Sequence, residues 1–163
     1  MKIGILSDTH NNIELTEKAI SIFEQQSVSL IIHAGDLTSP KMLDLFKGKN
    51  CKFVLGNGDI DEEEINARSE SLGFGAVKKT NEFTEAGKRF IVFHGNDVPL
   101  FRSSVASGKY DYIIKGHTHH FEDYISNNAR VINPGSLYGS DEYSVVILDC
   151  EIDKVIFIKI DQG

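Results

Sequence analysis

The sequence predicts an α/β fold with a two-sheet core and helices on its outer faces. Three observations carry that expectation. The first third alternates short apolar runs with amphipathic stretches, whereas the last third consists mostly of strand-like runs. An aspartate, asparagine or histidine also recurs just beyond the end of successive apolar runs. In α/β architectures such ends line the functional crevice. At 163 residues the chain suits one well-formed core, read as a single domain spanning 1–163.

Taken in order, residues 2–6 form a strand, and Ser7-Asp8-Thr9-His10-Asn11-Asn12 is the loop at its end. A helix follows, capped by Asn11 with Glu14 three residues on, and its apolar face carries Ile13, Ala19, Ile20, Ile22 and Phe23. Residues 28–32 form a nearly all-apolar strand, as expected where both faces of a parallel sheet are covered. It runs into His33-Ala34-Gly35-Asp36, and Pro40 then opens a short helix with Met42, Leu43, Leu45 and Phe46 inward. Strand 51–55 ends in Gly56-Asn57-Gly58-Asp59, and the acidic run 59–64 forms the first turn of another short helix. Residues 77–86 and 88–93 read as antiparallel strands joined at Gly87, the second ending at His94-Gly95-Asn96. Helix 98–107 starts near Pro99 and stops at Gly108. Strands are expected at 110–114, 119–125, 129–132, 144–149 and 154–160, and Lys115-Gly116-His117-Thr118-His119-His120 follows the first of these.

Composition narrows the function classes. Hydrophobic residues at 40% and charged residues at 25% are globular values. The net charge of −7 argues against sequence-independent nucleic-acid binding, which relies on lysine and arginine. Cys51 and Cys150 stand in no metal-ligand spacing and read as small buried residues of strands, which suits a reducing cytoplasm. The apolar start turns polar by Ser7, too early for a signal segment or a membrane span. A soluble cytoplasmic protein is expected, and a homo-oligomer stays open.

The chemistry lies in seven residues at five strand ends: Asp8 and His10, Asp36, Asn57, His94, and His117 with His119. Two carboxylates, four imidazoles and an amide oxygen are too many donors for one ion and suit two ions sharing a carboxylate. Mixed oxygen and nitrogen donors without thiolate favour the divalent transition metals manganese, iron, nickel, cobalt or zinc over calcium or magnesium, without choosing among them. Two cations about 3.5–4 Å apart form the clamp used in phosphate-ester hydrolysis.

Asp8-Thr9-His10, Gly35-Asp36, Gly56-Asn57, His94-Gly95 and Gly116-His117-Thr118-His119 stand in the order of the five motifs of the calcineurin-like metallophosphoesterases. The resemblance runs the whole length of the chain. Together with Ile132-Asn133-Pro134-Gly135-Ser136, it points to the compact YfcE-type phosphodiesterase branch. The resemblance implies a four-layer α/β-β/α sandwich and a dinuclear metal site. Asp8, His10, Asp36 and His119 would hold one ion, and Asp36, Asn57, His94 and His117 the other, with Asp36 as the bridge. A metal-activated hydroxide would attack a small phosphodiester, with Asp36 and Asn57 as the catalytic residues.

One departure stands out. The family's third motif usually carries a histidine proposed to protonate the leaving group, and this chain has Gly58 there. Esters with basic alkoxide leaving groups are therefore expected to turn over slowly. Asn96 likewise replaces a common second histidine in the fourth motif. His33 reads as a satisfied core histidine, His120 as a surface residue on the opposite face of an extended segment, and Asp59 as a cap of its helix. Lys115 and Arg102 read as solvated, and Asn133 to Ser136 as a turn that borders the site only by resemblance. The rival functions are a phosphomonoesterase on a small metabolite and a metal-binding scaffold of the retromer type. A nuclease or phosphoprotein phosphatase ranks lower, for lack of room to recognise a large substrate.

Overall fold

The computed structural model describes residues 1–161. Among the described residues, ten strands form two five-stranded sheets. The first has the order β10 (Lys154–Ile160), β9 (Tyr143–Asp149), β1 (Lys2–Leu6), β2 (Leu30–His33), β3 (Cys51–Phe53). In it β1, β2 and β3 run parallel, while β9 runs antiparallel to both β1 and β10. The second has the order β4 (Thr80–Glu85), β5 (Lys88–Phe93), β6 (Tyr112–Ile114), β8 (Ala129–Pro134), β7 (Phe121–Ser126), and β5, β6 and β8 are mutually parallel.

Side-chain alternation sorts the apolar residues into layers. Ile3, Ile5, Leu30, Ile32, Phe90, Val92, Tyr112, Ile114, Val146 and Leu148 pack between the sheets. Leu6, Ile31 and Phe53 face the other way, onto α1 (Ile13–Gln25), the 3₁₀ segment Pro40–Phe46 and α2 (Glu62–Ser71). Ile91, Phe93, Ile113 and Val131 face α3 (Val98–Ser107) through Leu100, Phe101 and Val105. The result is helix, sheet, sheet, helix, as the sequence predicted. Phe23 of α1 lies so close to β1 that a Cβ on Gly4 would stand 2.8 Å from its ring, so glycine is what lets this helix reach the sheet.

Several boundaries differ from the sequence expectations, each for a tertiary reason. The cap of α1 is Asn12, whose side chain accepts from the Leu15 N–H at 3.2 Å, and not Asn11. Asn11 is instead drawn into a left-handed loop, its N–H donating to the Leu37 carbonyl. The α2 cap is Asp61, not Asp59. Lys78 pairs with Val54 beside β3, so β4 begins only at Thr80. His119 lies outside any strand, because β7 starts at Phe121 opposite Pro134, which also carries β8 through Asn133. Cys51 lies in β3 but is only half-buried, and the buried Cys150 follows the end of β9.

Replacing the fully buried Phe23 with alanine is expected to destabilise the fold by about 3–5 kcal/mol. The change should appear as a lower urea midpoint at unchanged slope.

Candidate metal centre

Parallel pairing sends the ends of β1, β2 and β3 out of one sheet, and those of β5 and β6 out of the other. Their loops are laced together by backbone bonds. The N–H groups of Asp8 and His10 donate to the carbonyls of Gly35 and Asp36, both at 3.0 Å, and Gly116 N–H donates to the His94 carbonyl at 2.8 Å. Contacts that cross between the sheets include His117 N–H donating to Asp8 Oδ2 at 3.0 Å and the His94 ring approaching the Ala34 carbonyl at 2.9 Å.

These bonds aim each donor. A carbonyl only accepts, so His94 Nδ1 carries the proton there and Nε2 faces the site. One oxygen of each carboxylate is held by backbone, Asp8 Oδ2 by His117 N–H and Asp36 Oδ1 by Gly58 N–H at 2.7 Å. The other oxygens face the imidazoles. Asp36 Oδ2 lies 3.3 Å from both His10 Nε2 and His94 Nε2, and Asp8 Oδ1 lies 3.3 Å from His119 Nε2 and 3.7 Å from His94 Nε2. Yet Asp8 Oδ1, His10 Nε2 and His94 Nε2 are buried without a hydrogen-bond partner. Native proteins rarely leave such atoms orphaned unless something else binds them. Among the described residues, two groups could hold a metal ion: Asp8, His10 and His119, and Asp8, Asp36 and His94. The donor set fits divalent transition cations on chemistry as well as on spacing.

Of the seven residues singled out in the sequence, five therefore converge. His117 is exposed with its ring 5.1 Å from that of His94, and exposed Asn57 borders a neighbouring cavity together with His94. His120 is exposed. Gly116 is demanded by close approach, since a Cβ would stand 1.9 Å from Ser7 Oγ. The turn itself is made by His117 and His119, at φ 71 and 61. Asp8, His10 and Asp36 are left-handed too, at φ 52, 41 and 59. Backbone strain of this kind collects at functional sites and persists only where the surroundings enforce it.

Residues that sequence reasoning undervalued do the enforcing. Asp59 is buried, and its carboxylate accepts from the N–H groups of Asp36 at 2.9 Å, Thr38 at 2.7 Å and Gly56 at 2.7 Å, tying the second motif loop to the third. Buried Asn133 donates to the Gly116 carbonyl at 3.0 Å and to Thr118 Oγ1 at 2.9 Å, and Ser136 Oγ donates to the Asp8 carbonyl at 3.1 Å. Lys115 is buried, not solvated: it pairs with Glu122 and lies 5.8 Å from the Phe101 ring centroid. Tyr138, which no motif marked, places its half-exposed ring 4.8 Å from that of His10.

Electrostatics follow from this crowding. Burial pushes the Asp36 carboxyl up, but the His94 imidazole, Gly58 N–H and His10 outweigh it, and the group lies below the usual range. Burial opposes charge on His94 as well, yet Asp36 and Asp8 raise it above the ordinary imidazole value. His33 behaves oppositely. Fully buried and facing the His94 charge, it is pushed down to about 3 and stays neutral. Gly35 N–H donates to its Nδ1 at 3.2 Å, so Nε2 donates to Thr9 Oγ1 at 3.1 Å, and Thr9 in turn donates to the Asp36 carbonyl at 3.4 Å.

Two outcomes follow from these contacts. Because the folded His33 titrates near 3 instead of 6.5, protons bind the unfolded chain first, and stability should fall as pH drops from 6.5 towards 3. The raised His94 acts in the opposite sense, its contribution being present below 6.5 and lost as pH rises through its folded value. His33→Gln should flatten the acid limb in urea titrations of metal-free protein; an unchanged slope would assign that limb to other groups. Asp59→Asn sets an NH₂ against backbone donors and should lower metal-free stability by about 1–3 kcal/mol.

Comparison with known proteins agrees with this geometry. A family model described as the calcineurin-like phosphoesterase superfamily domain matches residues 1–153. The chain is 32% identical over 144 residues to a phosphodiesterase of Methanocaldococcus jannaschii, covering 85% of this chain and 86% of that one. A solved structure described as a novel archaeal phosphodiesterase superposes with a TM-score of 0.90 at 29% identity, covering 98% of this chain and all (100%) of that chain. The phosphoesterase YfcE of E. coli superposes with a TM-score of 0.71 at 18% identity, over 99% of this chain and 100% of that one, a likeness of fold.

Proposed function

The chain belongs to the calcineurin-like phosphoesterase superfamily, as a metal-dependent phosphoesterase, and we propose that it hydrolyses small phosphodiesters at a dinuclear metal centre. The observation that carries this reading is the set of buried, partnerless atoms Asp8 Oδ1, His10 Nε2 and His94 Nε2 facing one another. Asp8, His10, Asp36 and His119 would hold one ion, and Asp36, Asn57, His94 and His117 the other. Manganese is the first choice among the divalent transition metals, with nickel, cobalt, iron and zinc as alternatives. Such ions supply Lewis acidity, which neutralises charge on the phosphoryl oxygens and lowers the pKa of the attacking water.

The chain's own residues do the orienting. Asp36 stands between His10 and His94 with one oxygen pinned by Gly58 N–H, which suits it to be shared. The Asn57 amide would donate to a non-leaving phosphoryl oxygen, and its exposed position beside His94 leaves it accessible to substrate. Gly58 offers no proton to the departing alkoxide, so good leaving groups are favoured. The diester preference is supported by the phosphodiesterase name of the M. jannaschii relative.

Metal-stripped protein re-supplied with manganese should cleave bis-p-nitrophenyl phosphate in preference to p-nitrophenyl phosphate. Asp36→Asn should lose bound metal by elemental analysis, and activity should fall beyond the roughly 10–100-fold typical of outer-shell changes. Preference for the monoester would favour a phosphomonoesterase. Two bound metals with no turnover of either ester would favour a metal-binding scaffold.

A further inference from the structure

A cavity of about 320 Å³ opens beside the candidate centre, at the low end of the roughly 300–1,000 Å³ of small-molecule pockets. It shares His94 and Asn57 with the centre, so a group filling it would be joined to whatever sits at the phosphate position. Buried Leu55 and Phe93, with Leu100 of α3, form an apolar wall. Ile60 stands on the rim 86% exposed, in contrast to the charged and polar residues around it.

The charges of the lining are one-sided. Asp59, Glu62 and Asp97 stand in it with one lysine, Lys79, apart from His94 at the edge of the centre. Lys79 is already paired with Glu62 at 3.1 Å, Asp59 is held by three backbone N–H groups, and Asp97 caps α3 by accepting from Leu100 N–H at 2.8 Å. Away from His94 and the centre, the cavity thus has apolar surface for an organic group and, among the described residues, no unpaired lysine or arginine in its lining for a second anion.

Resting on the phosphodiesterase reading, we propose that this cavity receives one ester arm of the substrate as an uncharged, ring-bearing group, and that it rejects arms carrying a further phosphate. Ile60 and the Leu55–Phe93–Leu100 wall provide the apolar contact, and the carboxylates provide the discrimination by repulsion and unpaired desolvation. The substrate class is a phosphodiester whose arms are neutral, nucleoside-like or aryl alcohols, and not a nucleoside polyphosphate or a multiply phosphorylated alcohol.

The test is calorimetric binding to manganese-loaded protein of three diesters that differ on both arms alike: dimethyl phosphate, thymidylyl-(3′→5′)-thymidine, and the same dinucleoside phosphorylated at both outer ends. The neutral dinucleoside should bind about tenfold or more tighter than dimethyl phosphate and than its phosphorylated form. Ile60→Asp should narrow the first ratio. Glu62→Lys should narrow the second by at least about threefold, a gain of affinity for the anionic diester that damage to the fold would not produce. Equal affinities for the three diesters, or ratios untouched by both variants, would overturn the inference. Hydrolysis of bis-p-nitrophenyl phosphate, measured in parallel, separates the two readings. Turnover with equal affinities overturns the cavity assignment alone, and graded affinities without turnover overturn the phosphodiesterase reading alone.

Discussion

Everything at the working end of this molecule depends on keeping two carboxylates and three imidazoles in contact where water is scarce. Asp8 and Asp36 lie at the bottom of this cluster, and His94 is as buried as they are. Like charges and unpaired ring nitrogens at such spacing oppose folding, because each buried polar atom without a partner carries a desolvation penalty. The fold answers with backbone. Each carboxylate gives one oxygen to an N–H and keeps the other for the cluster, and His94 uses its far nitrogen on a carbonyl. What remains unsatisfied is a set of lone pairs aimed at a common point, which a cation satisfies better than water does.

The strain in the loops has the same origin. Non-glycine residues adopt left-handed backbone reluctantly, yet Asp8, His10, Asp36, His117 and His119 all do so. Sheet pairing alone would not hold them. Asp59, His33, Asn133 and Ser136 fasten one loop to the next, and none of them needs to touch a substrate to matter. They explain why the site sits between two sheets: one sheet supplies the carboxylates, the other the histidines at 94, 117 and 119, and the contacts between them fix the spacing.

Under the proposed function, glycine at position 58 would shift work from proton donation to electrostatics. Its N–H holds Asp36 Oδ1, and a Cβ there would stand 3.1 Å from the Asp36 carboxyl atoms. Glycine at this position thus lets the backbone give close support to the central carboxylate. A centre of this kind relies on charge neutralisation, which serves any phosphate ester, and leaves discrimination among esters to the neighbouring surfaces.

By itself the sequence determined the four-layer architecture and the positions of the metal-donor candidates. Strand alternation and apolar runs set which faces are buried, and chemistry-bearing residues at strand ends are visible as motifs whatever the exact pairing. The tertiary structure alone decided how those residues are aimed and what holds them. Asp59 looked like a helix cap because its acidic neighbours begin α2, but its three N–H partners come from loops up to 23 residues away. Asn133 looked like part of a turn because Asn-Pro-Gly is turn chemistry, and only the pairing of β6 with β8 carries it to Gly116. Lys115 looked solvated because its partners, Glu122 and Phe101, lie on other elements. Hydrophobic periodicity is a local signal, whereas the pairing of buried polar groups depends on which loops the two sheets bring together, and that information exists only once the chain has folded.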